Sequence, residues 1–320
     1  MKISLICTVY NEGGSIEELL ESIVGQKRTP DEAVFVDAGS EDGTRQIIEN
    51  YSEDYEWIKL FVEEGCNIAE GRNTAIEKAE NDYIVGTDGG CILDEGWVKA
   101  MEEAFEDGHE ALSGLFKPLS DDLFEFVQGE IRCAHYEREN VPDNWPPSSR
   151  SVGFTRQAWE DAGKYPEDLF TGEDAKYNSN IRRAGYEWHV VRDAFVYWRM
   201  RPSWRSYFKQ FYLYGEGDAR AGNMFDYPGK IFGVSKVFLQ TSTTYIGLIG
   251  LAGAITEPLL LSLTVAGFGA HYGYYLSNLK SAVEKKGLKT APYFIGLVPV
   301  QTLGHFLGYH KEKVRKWLRL

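Results

Sequence analysis

The sequence predicts an α/β domain followed by C-terminal membrane helices, and three observations support this fold class. Residues 2–116 alternate short apolar runs with amphipathic segments, the pattern of a mostly parallel central sheet covered by helices. Several apolar runs end on an acidic residue, as in open α/β sheets that bind ligands at the carboxyl ends of strands. Residues 230–320 contain long apolar segments. We therefore expect one domain over residues 1–229 and a membrane-associated helical region over residues 230–320.

The individual elements follow from local patterns in chain order. Lys2–Val9 is an apolar run, and Ser15 is placed to cap Ile16–Val24, whose apolar residues share one helical face. Gly185 ends the helix that precedes the final strand of this domain. Strands are expected at residues 2–9, 33–36, 58–62, 83–85, 111–116 and 188–191, and helices at residues 16–24, 42–50, 69–79, 96–105, 123–139, 175–184 and 204–214.

The charge distribution divides the chain in the same place. Residues 230–320 contain eleven Lys or Arg and three Glu, a net charge of +8. The whole chain carries −14, so residues 1–229 carry −22. An acidic body without a basic stripe repels phosphate backbones, and nucleic acid is therefore not an expected partner.

Three segments near the C-terminus have the composition of membrane helices. Val237–Ile255, Leu259–Asn278 and Ala291–Tyr309 contain no Lys, Arg or acidic residue, and each has roughly the 20 residues that a helix needs to cross a bilayer. The alternative is three buried helices of a soluble domain. The third segment either crosses the bilayer or lies at its surface.

The expected location is the cell membrane, with the domain at residues 1–229 on the cytoplasmic side. The loop at residues 279–290 is rich in Lys, and such loops favour the cytoplasm. The cysteines, which show no metal-ligand spacing, fit a reducing compartment: Cys7, Cys66, Cys91 and Cys133.

Two common nucleotide-binding motifs are absent from the sequence. No G-x-G-x-x-G follows a predicted strand and no G-x-x-x-x-G-K-[ST] occurs, which argues against a dinucleotide fold and a P-loop nucleotidase. Acidic residues are found instead at strand ends or loop mouths: Asp37, Asp88 and the pair Glu173–Asp174. This arrangement predicts a site that assembles a phosphate, a metal ion and a hydroxyl group.

These acids belong to an ordered series of motifs: Thr8–Glu12, Val36–Thr44, Gly71–Ala75, Thr87–Gly90 and Gly172–Asp174 with Arg182–Gly185. Over roughly residues 2–200, the series resembles the family 2 inverting glycosyltransferases of the GT-A fold. The continuation at 201–217 resembles the membrane-associated, succinoglycan-type branch of that family. The resemblance implies a GT-A nucleotide-sugar-binding domain, a nucleotide-diphosphate sugar donor, a divalent cation and an alcohol acceptor.

The resemblance places the nucleoside of the donor near the first two strands. Asn11 and Glu12 are expected to hold the ribose or the base, although Asn11 fits a role in the turn equally well. Asp37 is expected to accept the N–H of a uracil-like base, and its alternative role is to cap the following helix. The family usually has a second acid where Ala38 stands, so recognition of the base or ribose is expected to be altered.

Arg72 and Asn73 are the expected ligands of the diphosphate. The guanidinium group of Arg72 offers charge-assisted hydrogen bonds to phosphate oxygens, and the amide of Asn73 follows it in the sequence. The alternative for Arg72 is a surface ion pair with Glu70 or Glu77.

The resemblance makes Asp88 the expected ligand of Mg²⁺ or Mn²⁺, as well as a donor-binding residue. These ions take one or two carboxylates together with phosphate oxygens and water. The family normally shows Asp-x-Asp at this point, whereas this chain has Asp88-Gly89-Gly90. The missing second acid puts the metal dependence in question, and the alternative role of Asp88 is to cap a turn.

Asp174 matches the catalytic base of the family, and Glu173 is the expected acceptor-side acid. Inversion by direct displacement needs one carboxylate to take the proton of the attacking hydroxyl group. Both acids also suit the start of the helix at 175–184, where the helix dipole favours negative charge.

The predicted function is transfer of a single sugar, with inversion, from a nucleotide-diphosphate donor to a membrane-held acceptor, either a lipid-linked glycan or a polysaccharide precursor. One alternative is a polyisoprenyl-phosphate glycosyltransferase, which would accept lipid monophosphate alone. Another is a degenerate scaffold that binds sugar nucleotides without transfer. A processive synthase is disfavoured, because no QxxRW follows Asp174.

Overall fold

The computed structural model describes residues 1–133, 141–222, 230–231 and 234–318. The chain divides into two compact units. The first comprises Met1–Leu119 with the described part of His135–Arg199, and the second comprises the described parts of Ser120–Ala134 and Met200–Leu320. The predicted domain boundary between residues 229 and 230 adjoins residues 223–229, which lie outside the described residues, and it stays a prediction.

The first unit has the β-α-β alternation that the sequence predicts, with additional short elements in its second half. In chain order its elements are β1 Ile3–Val9, α1 Ile16–Val24, β2 Glu32–Asp37, α2 Thr44–Asp54, β3 Ile58–Val62, α3 Ile68–Lys78, β4 Tyr83–Asp88, β5 Cys91–Leu93, α4 Trp97–Glu106, β6 Ala111–Leu119, β7 Val152–Thr155, α6 Arg156–Asp161, α7 Glu173–Arg183 and β8 His189–Arg199. Helix α5, Leu123–Cys133, belongs to the second unit.

The central sheet is mixed, so the prediction of a mostly parallel sheet is wrong. Its eight strands lie in the order β3-β2-β1-β4-β7-β6-β8-β5. Strands β1 to β4 are mutually parallel, but β7 runs antiparallel to both β4 and β6, and β5 runs antiparallel to β8. Strands β5 and β7 have three and four residues, too few for an apolar pattern to reveal them or their direction.

Strand register brings two acids to one edge of the sheet. On either side of β1, Val9 pairs with Asp37 of β2 and Thr8 pairs with Asp88 of β4. Because these strands are parallel, both acids lie at the carboxyl ends of their strands. The inner strands β1 and β2 are almost entirely buried, as expected for a parallel sheet with covered faces.

The second unit is helical apart from a short ribbon. It contains α5 and α8 Trp204–Ala221, then β9 Lys230–Ile231 and β10 Val234–Ser235, which pair antiparallel. The remaining helices are α9 Lys236–Gly253, α10 Leu261–Gly273, α11 Leu276–Lys286 and α12 Ala291–Leu318, with 3-10 turns at Pro258–Leu260 and Leu288–Thr290.

The predicted C-terminal membrane helices are not supported. Across the part of the chain that the structure describes, no helix combines the length and the apolar character that crossing a bilayer requires. The second predicted span, 259–278, is broken into a 3-10 turn, the 13-residue helix α10 and the start of α11. The third lies within the 28-residue α12, which contains Pro299.

Contacts within the second unit explain why the apolar pattern misled the prediction. Phe294, Leu297 and Val298 of α12 are buried in one cluster with side chains of α5 and α8. Polar groups satisfy one another beside this cluster: Gln301 donates to Tyr275 Oη at 2.6 Å and accepts from Tyr207 Oη at 2.9 Å. A helix buried against protein carries the same apolar stripe as one buried in lipid.

Glycines allow α8 and α12 to approach closely. A Cβ at Gly308 would lie 1.9 Å from the carbonyl oxygen of Tyr212, and one at Gly215 would lie 2.1 Å from that of His305. Since both obstacles are backbone atoms, no rotamer change relieves the clash.

We expect Gly308→Ala to lower the free energy of unfolding by about 1–3 kcal/mol, because the added methyl group forces α8 and α12 apart. Denaturant unfolding followed by circular dichroism measures this change. The control is Gly269→Ala in α10, where a Cβ meets no atom within 4 Å. That change is expected to stabilise by about 0.5–1 kcal/mol, as Ala does in helices. Equal effects of both changes would contradict the close approach.

Candidate functional site

The first loop of the site, which follows β1, is tied to the loop after β2. Asn11 has φ +54°, in the left-handed region that Asn tolerates. Its N–H donates to Ser40 Oγ at 2.9 Å, and its side-chain oxygen accepts from the N–H of Glu41 at 3.0 Å. The next N–H, of Glu12, donates to Thr44 Oγ1 at 2.8 Å. In this structure Asn11 makes turn contacts, and its donor role stays a prediction.

Asp37 is fully buried at the end of β2 and already has partners. Its carboxylate accepts from the N–H and the hydroxyl group of Ser40 and from Arg45 Nε at 3.1 Å. Arg45 was not foreseen from the sequence. The carboxylate therefore organises the turn after β2, and its contact with a base stays a prediction.

Arg72 links the donor side of the predicted site to its acceptor side. It lies on α3 with its side chain 6% exposed. Nη2 donates to Asp88 Oδ1 at 2.9 Å, and Nη1 donates to Glu173 Oε1 at 2.7 Å. The guanidinium carbon lies 5.4 Å from the ring centre of Tyr165. Burial lowers the pKa of Arg72, but the neighbouring carboxylates of Asp88 and Glu173 together raise it by more than burial lowers it. The net pKa is above its ordinary value, and the guanidinium group stays charged.

Glu173 and Asp174 open α7 with different surroundings. Burial, followed by the charge of Asp174, raises the pKa of Glu173 to about 7, and Arg72 offsets only part of this rise. Asp174 is half-buried, and its side chain accepts from the N–H of Ala175 at 2.7 Å. The predicted base, Asp174, is thus the more accessible acid of the pair. Glu173 fixes the start of α7 through its hydrogen bond from Arg72.

The side-chain amide of Asn73, a predicted ligand of the diphosphate, is bonded to protein groups in this structure. Its amide oxygen accepts from Trp159 Nε1 at 3.1 Å and from the N–H of Tyr165 at 3.0 Å. Its amide nitrogen donates to Tyr165 O and to Glu167 Oε1. These contacts hold the segment that precedes α7, and donor binding by Asn73 stays a prediction.

Two residues near Asp88 were missed at the sequence level. Ser149 Oγ donates to Asp88 Oδ2 at 3.4 Å, and Arg150 Nε lies 3.9 Å from the same oxygen. Both belong to the loop before β7, which contains Pro146 and Pro147. A loop without periodicity gives no indication in the sequence of where its side chains point. The contacts of Ser149 and Arg150 with Asp88 therefore become visible only in the folded structure.

The space beside Gly90 is taken by another acid. A Cβ at Gly90 would lie 3.7 Å from Glu12 Oε2, and one at Gly89 would lie 2.9 Å from Glu12 Cγ. The carboxylate of Glu12 accepts from Ser15 Oγ at 2.7 Å. Glu12 therefore brings a carboxylate into van der Waals contact with the point where a side chain at position 90 would begin. Within the described ranges, no cluster of three or more His, Cys, Asp or Glu is arranged for a metal ion.

Comparisons with known proteins agree with this fold. Residues 4–156 match the family described as Glycosyl transferase family 2. Glycosyltransferase AglE of Haloferax volcanii is 28% identical over 221 residues, which cover 65% of this chain and 70% of that protein. The succinoglycan biosynthesis protein ExoA of Rhizobium meliloti is 26% identical over 231 residues, 68% of each chain.

A solved structure shares the fold. The mannosyltransferase PcManGT from Pyrobaculum calidifontis, in complex with GDP-Man and Mn²⁺, matches with a TM-score of 0.57 at 18% identity, over 95% of this chain and 86% of that one. An α/β domain with acids at the carboxyl ends of β2 and β4 is thus a GT-A-like glycosyltransferase fold. Residues 4–156 thus match the family described as Glycosyl transferase family 2, and this match confirms the resemblance seen in the motifs of that region.

We expect Arg72→Met to lower the free energy of unfolding by about 3–5 kcal/mol, because Asp88 and the buried Glu173 lose their shared cation. Thermal and denaturant unfolding measure the change. The control is Arg199→Met, which removes the half-exposed ion pair with Glu18 and is expected to cost about 0–1 kcal/mol. A similar small cost for both variants would show that Arg72 does not hold the site together.

Proposed function

We propose that the protein transfers a single sugar from a nucleotide-diphosphate donor to an acceptor hydroxyl group, with inversion at the sugar carbon. One observation carries this proposal. Arg72 lies within hydrogen-bond distance of both Asp88, at the end of β4, and Glu173, beside the predicted base. One acid on the donor side and one acid next to the predicted base are therefore held by the same guanidinium group, which supports the fixed relative positions that a direct displacement needs.

Asp174 is the proposed general base. Its carboxylate takes the proton of the acceptor hydroxyl group while that oxygen attacks the anomeric carbon and the bond to the diphosphate breaks. The nucleoside diphosphate leaves with the electron pair, and inversion follows from attack on the opposite face. The support is positional: Asp174 is half-buried at the start of α7, whereas Glu173 is engaged by Arg72.

The residues present fit a divalent cation, either Mg²⁺ or Mn²⁺. Asp88 and Glu12 would hold the ion together with diphosphate oxygens, since Glu12 occupies the space beside Gly90 where a second acid is missing. Two carboxylates plus phosphate oxygens are a usual ligand set for these ions. The bound cation would neutralise negative charge on the leaving diphosphate.

We also propose that the acceptor is held at a lipid bilayer. The segment around the α9–α10 turn exposes apolar side chains, with Ile255 86%, Leu259 78% and Val265 68% exposed. Exposed apolar side chains close together in sequence favour contact with a lipid or a lipid-linked molecule. Transfer of labelled sugar from a donor panel to a lipid extract tests this point, and transfer to water-soluble saccharides alone would contradict it.

We expect Asp174→Asn to reduce sugar transfer about 10²- to 10⁴-fold, the usual contribution of a general base, while donor binding stays within a few-fold of wild type. Transfer is followed by release of nucleotide, and donor binding by calorimetry. The control is Asp168→Asn, which alters an exposed acid of the loop before α7 and is expected to leave both quantities unchanged. Full transfer by Asp174→Asn would exclude the assigned base.

We expect Asp88→Ala and Glu12→Gln each to weaken Mn²⁺ binding, about tenfold or more, in the presence of a nucleoside diphosphate, because each removes one carboxylate ligand. Electron paramagnetic resonance counts free Mn²⁺ directly and needs no turnover. The control is Glu21→Gln on the exposed side of α1. A Glu12→Gln protein that binds Mn²⁺ like this control would remove Glu12 from the ligand set.

A further inference from the structure

Most aromatic side chains of the first unit are buried or partly buried. Across the part of that unit that the structure describes, the exposed aromatic residues are Tyr10, 60% exposed, and Phe170, 56% exposed. Both lie in loops of the candidate site: Tyr10 directly precedes Asn11, and Phe170 precedes Asp174 by four residues. A single exposed Phe elsewhere on a surface needs no explanation, but one in the loop that leads to the proposed base is a candidate contact for the acceptor.

The loop that carries Phe170 is held at its start by the side chains of Asn73 and Asn67. Asn73, which is 3% exposed, accepts from the N–H of Tyr165 at 3.0 Å and donates to Glu167 Oε1 at 2.8 Å. Asn67 donates to the carbonyl oxygen of Glu167 at 2.8 Å. These bonds fix the chain three residues before Phe170.

The residues on either side of Phe170 are fixed as well. Leu169 is only 6% exposed, and its N–H donates to the carbonyl oxygen of Pro166 at 3.2 Å. Gly172 has φ +82°, in the left-handed region that favours glycine, and it leads the chain into α7. The exposed ring of Phe170 is therefore attached to a backbone with little freedom, which lowers the entropy lost when the ring binds a ligand.

The length of the chain keeps Phe170 close to the proposed base. A chain of four residues spans at most about 14 Å when fully extended, and the left-handed Gly172 lies between Phe170 and Asp174. An acceptor glycan whose hydroxyl group lies at Asp174 therefore has its neighbouring rings within reach of the Phe170 ring.

The chemistry of a phenyl ring favours a sugar ring over a phosphate group or a lipid chain. A pyranose ring presents C–H groups on one face, and these contact the electron-rich face of an aromatic ring. A phosphate gains nothing from a phenyl ring, and the net charge of −22 over residues 1–229 opposes an anion. A lipid chain needs a wider apolar surface, whereas Phe170 lies between the buried Leu169 and the polar Thr171.

We propose that Phe170 binds the acceptor by stacking on one of its sugar rings, next to the hydroxyl group whose proton Asp174 takes. This inference rests on the proposed function, because it names the chemical class of the acceptor for that reaction.

Initial rates of sugar transfer to the lipid extract and to methyl glycosides, at saturating donor and Mn²⁺, test the assignment. For each preparation that wild type glycosylates, we expect Phe170→Leu to raise the KM of the acceptor about tenfold, as loss of an aromatic contact does. Its kcat and its donor binding, measured by calorimetry, should match wild type. Phe170→Tyr keeps the ring and is expected to restore the KM. The matched control is Asp168→Ala, which truncates an exposed side chain of the same loop and should behave like wild type.

A second readout detects the contact without turnover. Saturation-transfer NMR from the aromatic protons of the protein to the C–H protons of the methyl glycosides, with UDP or GDP and Mn²⁺ present, should be weaker in Phe170→Leu than in Asp168→Ala. Because Phe170 is exposed, its replacement is expected to leave thermal unfolding unchanged.

The outcomes separate this inference from the proposed function. An unchanged acceptor KM in Phe170→Leu, or an equal rise in Phe170→Leu and Phe170→Tyr, would overturn the assignment of Phe170 and leave the proposed function standing. Transfer to a polyisoprenyl monophosphate that carries no sugar would overturn it too. A wild-type protein that transfers sugar to none of these acceptors would overturn both.

Discussion

The buried guanidinium group of Arg72 is the interaction on which the site depends. A charge with 6% exposure is tolerated only with close counter-charges, and Arg72 takes them from two distant parts of the chain. Asp88 ends β4, and Glu173 begins α7. Because each partner would be destabilised without the other two, the end of the strand and the start of the helix are fixed relative to each other. The predicted base, Asp174, is positioned as a consequence.

The same constraint reshapes the donor side. Both terminal amino groups of Arg72 donate to acids, Asp88 and Glu173, so a diphosphate beside Asp88 meets a guanidinium group that is already bonded on both sides. The glycine at position 90 leaves space that the side chain of Glu12 enters from the loop after β1. The Asp88-Gly89-Gly90 motif thus lacks a second acid in the sequence, but the carboxylate of Glu12 lies beside Gly90 in the structure. A cation held there would combine ligands from two loops instead of one.

The second unit shows how an apolar pattern misleads. The segments at 237–255, 259–278 and 291–309 have membrane-like composition, yet none of the described helices meets the requirements of a span. In the third segment, Phe294, Leu297 and Val298 pack with side chains of α5 and α8, and Gly308 allows the backbones of α8 and α12 to approach closely. In the first two segments, Ile255, Leu259 and Val265 are exposed. Apolar composition therefore does not by itself predict whether a segment spans a membrane, packs on protein or exposes its apolar side chains.

The sequence by itself determined the α/β class, the first four parallel strands, the resemblance to glycosyltransferase family 2 over residues 4–156, and the acids at strand ends, because periodicity and strand-end motifs are local properties. Only the tertiary structure decided the antiparallel strands β5 and β7, the approach of Arg150 and Glu12 to the Asp88 turn, and the partners of Arg72 and Asn73. These depend on contacts between residues far apart in the chain, such as Arg72 with Glu173. A local pattern carries no information about such pairs, since loops such as the one before β7 take their path from the elements that they join.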